Sequence, residues 1–311
     1  MNVLIWHVHG SWTTAFVQGA HRYLVPVIPD RGPLGRGRAE TWEWPASVVE
    51  TSPEELADTA VDVVIVQRMG ELELAERWLG GRRPGRDVPA IFLEHNAPQG
   101  RIADMRHPVA DRRDLTLVHV THFNALFWDA GATPTRVIEH GIVDPGYRYR
   151  GDLARVAVVV NEPGRRGRVT GTDLLSRVPP DVPIDLFGMK AAELGGIENP
   201  PQHRLHEEMA RRRVYFHPIR WTSLGLSLIE AMQLGMPVVA LATTEVPEAV
   251  PPEAGVISTH VEVLITALRQ LLDDPEHARG LGKAAREAAR ERYGLARFLA
   301  DWDALLHEVA R

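Results

Sequence analysis

The chain has 311 residues, of which 44% are hydrophobic and 24% charged. The length corresponds to about two ordinary domains, and the near-average composition excludes a disordered, collagen-like or coiled-coil protein. A net charge of −6 argues against a general nucleic-acid binder, and the absence of cysteine excludes disulfides and thiolate chemistry.

The first half of the chain alternates short apolar runs with stretches of helical spacing. Residues 3–6 form an apolar run that leads into a polar loop, and residues 61–67 are rich in β-branched side chains. Helical spacing follows over residues 71–79. Further strands are predicted at 90–93, 115–120 and 137–138. This alternation is typical of a parallel, doubly wound sheet.

The pattern breaks near residues 144–152, where proline and glycine occur among tyrosine and arginine, and a second alternating series follows. Its predicted strands are 156–160, 184–187, 214–216 and 237–241. Its predicted helices are 205–212, 226–234, 261–272 and 275–309. We therefore predict domains at 1–147 and 148–294, with a final helix at 295–311 that could pack back on the first domain.

The stretch 217–240 contains the strongest constellation of polar and glycine residues. Thr222, Ser223 and Gly225 precede the helix predicted at 226–234, so its first N–H groups lack partners and carry partial positive charge. Such a terminus suits a diphosphate. Glu230 lies within this helix, and the spacing alone also fits an ordinary helix with a solvated glutamate.

This stretch resembles the signature of retaining nucleotide-sugar glycosyltransferases of family 4, the group 1 glycosyltransferases. The matching residues are Pro218, Gly225, Glu230, Ala231, Met232, Gly235, Pro237, Val238, Val239 and Ala240. The resemblance continues over 246–250, 273–275 and 281–293, and more loosely over 136–142. It implies the GT-B fold, in which two Rossmann-like, doubly wound domains face each other across a cleft.

The resemblance also assigns roles to residues of the second domain. Glu230 would accept both ribose hydroxyls of the nucleotide, and the backbone of Ser223, Leu224, Gly225 and Leu226 would face the phosphates and sugar. Members of the family usually carry a second glutamate, which contacts the transferred sugar, eight residues before the first. Here that position is Thr222, which can donate a hydrogen bond but carries no charge.

A basic segment follows the first strand of the second domain. Gly164, Arg165 and the later Gly171-x-Asp173 resemble the family's segment whose Arg and Lys neutralise the diphosphate. Arg165 aligns with that Arg and is the expected catalytic cation, whereas Thr170 stands at the Lys position. The chain's lysines are Lys190 and Lys283. Arg166 and Arg168 are the expected substitutes for the family's lysine, and Arg168 is included in the predicted donor site. The alternative is that this segment is a solvated basic loop without a ligand.

Histidines cluster at the predicted strand ends of the first domain: His7, His9, His95, His122 and His140. His95 begins a His-Asn-Ala-Pro loop that resembles the family's loop over the reaction centre, which implies a catalytic His95. Gly10 would let the first loop approach the donor diphosphate.

No metal site is predicted. The pairs His7/His9 and His119/His122 lack a third ligand, and Asp301-x-Asp303 lies in an amphipathic helix. We expect no metal and no cofactor besides the donor substrate.

The predicted function is transfer of a sugar, with retention, from a UDP-, GDP-, ADP- or dTDP-linked donor. The acceptor is left open between a small molecule, a natural product and a cell-envelope intermediate. No nucleic-acid partner and no transmembrane segment are expected, peripheral membrane contact stays open, and a cytoplasmic location is expected.

Two alternatives remain. Thr222 and Thr170 would suit a degenerate, non-enzymatic member that binds a nucleotide or a partner. A nicotinamide-dependent oxidoreductase is weaker, because no Gly-x-Gly-x-x-Gly follows a strand.

Overall fold

The computed structural model of the protein describes residues 1–40 and 42–311. By its internal contacts the chain divides into two units. The first unit comprises Met1–Val143 together with Leu295–Arg311, and the second comprises Asp144–Gly294. The final helix is therefore grouped with the first unit, which is the arrangement that the sequence left open.

The division between the units falls after Val143 rather than at residue 147. Asp144 accepts hydrogen bonds from the Arg286 guanidinium, at 2.9 Å for Oδ2. The amides of Arg148 and Tyr149 donate to the Leu234 carbonyl at 3.1 and 3.0 Å. These bonds hold the start of the linker on the second unit.

The described residues form these strands: β1 (Asn2–Ile5), β2 (Arg22–Pro26), β3 (Val48–Thr51), β4 (Val63–Val66), β5 (Ala90–Glu94), β6 (Thr116–His119), β7 (Thr135–Val137), β8 (Leu153–Val159), β9 (Ile184–Gly188), β10 (Ile197–Glu198), β11 (Arg212–His217), β12 (Val238–Leu241) and β13 (Gly255–Ser258). The helices are α1 (Gly10–Phe16), α2 (Pro53–Asp58), α3 (Met69–Trp78), α4 (His122–Phe127), α5 (Gly167–Thr170), α6 (Gln202–Arg211), α7 (Leu226–Leu234), α8 (Val246–Ala249), α9 (Val261–Asp273), α10 (Pro275–Tyr293) and α11 (Leu295–Val309). Short 3₁₀ helices occur at Ile102–Asp104, Thr172–Arg177 and Ala191–Leu194.

The strands of the first unit pair in parallel in the order β3-β2-β1-β4-β5-β6-β7. Every residue of β4 is buried, as expected for a central parallel strand covered on both faces. The return helix α11 packs on α1, where the rings of Trp12 and Trp302 meet edge to face at 5.5 Å. Trp302 is buried while Asp301 and Asp303 are exposed, so the Asp-x-Asp pattern here belongs to an amphipathic helix.

The strands of the second unit pair in parallel in the order β10-β9-β8-β11-β12-β13. Helix α7 ends at Gly235, whose φ of +88° favours glycine. Helix α10 crosses so closely here that a Cβ on Gly282 would lie 2.1 Å from the Gly235 carbonyl oxygen. The expected helix over 275–309 is interrupted at Gly294, between α10 and α11.

Both sheets have the strand order of a doubly wound fold. The order reverses between β1 and β4 in the first unit and between β8 and β11 in the second. In open parallel sheets, ligands bind beyond the carboxyl ends of the strands at such a reversal. Each unit therefore has one defined edge at which a site is expected. No helix among the described residues is both long and apolar enough to cross a membrane.

Candidate functional site

The start of α7 lies just beyond the carboxyl end of β11, at the reversal of strand order in the second unit. Gly225 is the residue before the first helical turn and provides no side-chain cap for the N–H groups of that turn. A Cβ at Gly225 would lie 2.6 Å from Cε1 of the buried His217. Ser223 and Leu224 are buried, and Thr222 is half-buried. The close packing fixes an uncapped helix N-terminus at this edge.

Glu230 lies in the middle of α7 and is buried, so the alternative of a solvated glutamate is wrong. Its Oε2 lies 3.5 Å from Nε2 of His206, which is also buried. A carboxylate has two oxygens that accept hydrogen bonds, so this residue is a candidate for binding hydroxyl groups.

A second polar group lies beneath the start of α7 and was missed from the sequence. The Tyr215 hydroxyl donates to Ser227 Oγ at 2.9 Å and lies 3.2 Å from His217 Nδ1. Burial raises the pKa of Tyr215, and the nearby Glu230 charge contributes in the same direction. Burial lowers the pKa of His217 to about 4, so its imidazole is neutral at pH 7. This group supports the α7 terminus without adding charge.

The predicted catalytic cation Arg165 lies in the loop after β8 with its side chain largely exposed. Its guanidinium donates to the Glu162 carboxylate and lowers the pKa of that carboxyl. The Lys190 ammonium lies 3.5 Å from the other oxygen of Glu162. Both Glu162 and Lys190 have positive φ, at +54° and +60°. The loops after β8 and β9 thus bring together two cations that are 25 residues apart in sequence.

Thr170, at the position where the family keeps a lysine, does not face solvent. It is buried, and its Oγ1 donates to the Arg166 carbonyl at 3.0 Å. The predicted donor-site residue Arg168 points instead toward Asp173, at 3.4 Å, and is mostly exposed. The role of Arg166 or Arg168 in place of that lysine stays a prediction.

The basic loop packs directly on the segment that leads to α7. Gly171 has a φ of +73°, and a Cβ there would lie 1.8 Å from the Pro218 carbonyl oxygen. The amides of Arg220 and Trp221 both donate to the Val169 carbonyl, at 2.9 and 3.2 Å. The Arg220 guanidinium also binds Asp173, at 3.0 Å for Oδ2. The basic loop and the approach to α7 therefore form one continuous surface of the second unit.

In the first unit, His95 is buried beyond the end of β5. Gln67 donates from Nε2 to the Trp6 carbonyl, so its amide oxygen faces His95 Nε2 at 2.8 Å and that nitrogen carries the proton. The Trp12 ring meets the imidazole edge to face at 5.2 Å. Burial holds the pKa of His95 well below its usual value, and nearby His9 adds to the effect. His95 is a neutral hydrogen-bonding group at pH 7.

Two further histidines, His9 and His140, lie near His95. The rings of His9 and His95 are 4.1 Å apart, and burial lowers the pKa of His9 to about 4. Burial lowers the pKa of His140 to about 3. Gly10 starts α1 beside this cluster, with 3.3 Å between a Cβ built there and Trp42 Nε1. The structure thus groups three of the five predicted histidines, whereas His122 is exposed and His7 bonds the Gly37 carbonyl.

Among the described residues, no three His, Asp or Glu side chains are grouped so that they could hold a metal ion. A buried pair that the sequence did not suggest joins Glu94 Oε2 to His107 Nε2 at 3.0 Å. Both oxygens of Glu94 are engaged, because Oε1 accepts from the Asn96 amide at 2.6 Å. This pair stabilises the loop that begins at His95.

Part of the chain is similar in sequence to known glycosyltransferases. Residues 196–288 match the model of a family described as "Glycosyl transferases group 1". The sulfoquinovosyl transferase SQD2 of Arabidopsis thaliana is 30% identical over 232 residues, covering 63% of this chain and 43% of that protein. The chain therefore spans less than half the length of this curated relative.

Solved structures resemble the whole chain. Sucrose-phosphate synthase of Thermosynechococcus elongatus has a TM-score of 0.72 at 14% identity, covering 99% of this chain and 98% of that chain. HepE of Anabaena, solved with UDP-glucose, has a TM-score of 0.63 at 14% identity, covering 99% and 100%. A glycosyltransferase of Rickettsia africae has a TM-score of 0.68 at 11% identity, covering 100% and 98%. At these identities the likeness shows the fold.

The predicted fold is confirmed, since the chain has the GT-B fold of two Rossmann-like units, and the predicted resemblance is confirmed by the match of residues 196–288 to the model of the group 1 glycosyl transferases.

Proposed function

We propose that this chain is a glycosyltransferase that takes a sugar from a nucleoside-diphosphate donor and transfers it to an acceptor hydroxyl with retention of configuration. The observation that carries the proposal is the match over residues 196–288, because this segment contains α7, its uncapped N-terminus and the buried Glu230. The nucleotide-sugar donor is further supported by HepE, which has been solved with UDP-glucose.

The second unit would bind the donor. The Glu230 carboxylate would accept hydrogen bonds from both ribose hydroxyls, since its two oxygens match a vicinal pair of donors. The N-terminal N–H groups of α7 and the Arg165 guanidinium would neutralise the diphosphate as it leaves. Lys190 would add a second cation through the carboxylate that it shares with Arg165.

In the proposed reaction the bond from the sugar C1 to the diphosphate oxygen breaks while the acceptor oxygen bonds C1 from the same face. The acceptor proton passes to the leaving diphosphate. His95 would hydrogen-bond the transferred sugar as a neutral imidazole, consistent with its burial and lowered pKa. The donor supplies the leaving group, so the proposal includes no cofactor.

The test is a nucleotide-binding series with a matched variant. We expect one of UDP, GDP, ADP or dTDP to raise the unfolding temperature selectively, because a ligand of the native state stabilises it by mass action. Glu230→Ala should weaken that nucleotide tenfold or more by calorimetry, which is about 1.4 kcal/mol. The control Glu207→Ala removes an exposed carboxylate from the neighbouring helix and should leave affinity unchanged.

Binding of none of the four nucleotides, or equal affinity in Glu230→Ala, would refute the proposed donor site. The anomeric configuration of the product, read by NMR, tests retention separately. Thr222 lacks the charge that the family's glutamate provides, which favours the second candidate, a nucleotide-binding protein without turnover. Selective nucleotide binding with neither transfer nor donor hydrolysis across a panel of nucleotide sugars would support that candidate.

A further inference from the structure

Helix α6 lies beside α7 and presents two polar side chains on the side of Glu230. Gln202 and His206 are one helical turn apart and share a face of α6. The His206 side chain is 11% exposed and that of Glu230 is 8% exposed. His203, on the same helix, is exposed. His206 is the polar member of the buried side of α6, which also includes Leu205, Met209 and Ala210, so its ring nitrogens need partners inside the protein.

The ring atom of His206 that faces Glu230 also contacts Gln202. His206 Nε2 lies 3.5 Å from Glu230 Oε2 and 2.8 Å from Gln202 Nε2. A carboxylate only accepts hydrogen bonds, so the favourable tautomer has its proton on Nε2. With the proton on Nε2, Gln202 must present its amide oxygen to the ring, since an amide nitrogen only donates and the two ends of a carboxamide are interchangeable in assignment. Gln202 then accepts from the same N–H that points toward Glu230, and this shared bond holds the tautomer.

The position of α6 is fixed independently of any ligand. The Arg212 guanidinium donates to the Glu208 carbonyl at 2.8 Å and to Asp185 Oδ2, on β9, at 2.8 Å. The amides of Arg150 and Gly151 donate to the Ala210 carbonyl. These bonds hold the carboxyl end of α6 against the sheet, so His206 is presented from a rigid element.

We propose that Gln202 and His206 orient the Glu230 carboxylate, so that α6 contributes to recognition of the ribose of the donor. This inference rests on the proposed function, in which Glu230 binds the ribose hydroxyls. His206 is a positioning residue that acts through Glu230. It restricts the rotation of the Glu230 side chain, so that the carboxylate faces the vicinal hydroxyls. Without it, the affinity for the ribose falls while the affinity for the diphosphate stays.

The experiment measures discrimination between ribose and 2′-deoxyribose. Calorimetry gives the Kd of UDP, GDP and ADP and of their 2′-deoxy forms, and the pair that binds best is carried forward. We expect the intact chain to prefer the ribose form at least tenfold, and Glu230→Ala to lose that preference. His206→Ala should reduce it at least threefold and change the Kd of the 2′-deoxy form by less than twofold.

Two further variants separate positioning from a general loss of structure. His206→Gln retains an N–H donor and should restore most of the preference, whereas the control His203→Ala should not change it. Should His206→Ala fail to fold, Gln202→Ala provides the same test and should lower the preference in the same direction.

The outcomes distinguish this inference from the proposed function. An unchanged preference in folded His206→Ala, with the preference lost in Glu230→Ala, overturns the positioning role alone. An unchanged preference in Glu230→Ala, selective binding of dTDP, whose sugar lacks the 2′-hydroxyl, or no nucleotide binding by the intact chain overturns the ribose role of Glu230 and this inference with it.

Discussion

Two glycines in α10, two residues apart, provide a sharp test of how α7 is held. Gly282 is buried, and a Cβ there would lie 2.1 Å from the Gly235 carbonyl oxygen and 3.2 Å from the Pro237 nitrogen. Gly280 is exposed, and a Cβ there would meet nothing within 4 Å. Replacing each with alanine therefore introduces the same methyl group into opposite environments of one helix.

The magnitudes follow from the two environments. Alanine stabilises a helix interior by about 1 kcal/mol relative to glycine, so Gly280→Ala should raise the free energy of unfolding by about that amount. In Gly282→Ala the same gain is opposed because backbone atoms must move by more than 1 Å to reach ordinary contact distance. Overpacking of this kind costs about 1–3 kcal/mol or more. The helix-propensity gain is common to both, so the two variants should differ by the overpacking cost alone, about 1–3 kcal/mol or more.

Scanning calorimetry of the intact chain measures both variants. Since 1 kcal/mol corresponds to about 2–4 °C for a folding unit of 150–250 residues, we expect Gly280→Ala to unfold at a higher temperature and Gly282→Ala at a lower one. Nucleotide affinity should fall in Gly282→Ala, because α7 carries Glu230, and should be unchanged in Gly280→Ala. Equal shifts in unfolding temperature would refute the contact between α10 and the end of α7.

Two further predictions concern charge. Arg165→Ala should lower the affinity for the selected nucleoside diphosphate about tenfold by calorimetry, because a charge-assisted hydrogen bond contributes roughly 1.5–3 kcal/mol. The control Arg177→Ala removes an exposed arginine paired with Glu262 and should leave the affinity unchanged. Equal losses in both variants would indicate a nonspecific charge effect. Stability should decline as pH falls from about 6.5 toward 5, because the pKa values of His9, His119 and His217 are lowered to about 4 and that of His140 to about 3 by burial. Histidines of the unfolded chain titrate near pH 6.5, so between pH 6.5 and 5 only the unfolded state gains protons. Each such histidine then lowers the free energy of unfolding by on the order of 1 kcal/mol per pH unit, and none has an effect above this range. An unfolding temperature that stays constant from pH 7 to pH 5 would contradict this assignment.

The sequence predicted best those elements whose ends carry explicit signals. Helix α7 was predicted with the observed bounds, because Gly225 and Gly235 mark its two ends. Strands β2 and β3 were missed, since their short apolar runs lie on either side of the Gly-, Pro- and Arg-rich segment 29–38 and lack a clear period. The helix predicted over 275–309 did not show the break at Gly294, because the amphipathic spacing continues from α10 into α11. The same position was chosen only as the boundary between the second domain and the final helix.

The individual residues of the site were easier to predict than their environments. Amphipathic spacing indicates burial only where one side of a helix is exposed. All residues from Leu228 to Leu234 are buried, so the pattern of α7 could not show that Glu230 is buried. Nor could spacing show that Arg165 and Lys190 meet at Glu162, because that contact joins the loops of two strands. The role expected of Arg166 or Arg168 depended on linear proximity to Thr170, and the folded loop turns that position inward.

The two strand-order reversals of the chain differ in the charge that they offer a ligand. In the second unit, Arg165 and Lys190 flank Glu162 with a summed positive charge, and helix α7 begins with an uncapped terminus. In the first unit, His9, His95 and His140 all have lowered pKa values and are neutral at pH 7. A diphosphate would find ionic partners at the former and none at the latter. Neutral imidazoles instead suit the hydroxyl groups of a sugar, each of which both donates and accepts a hydrogen bond.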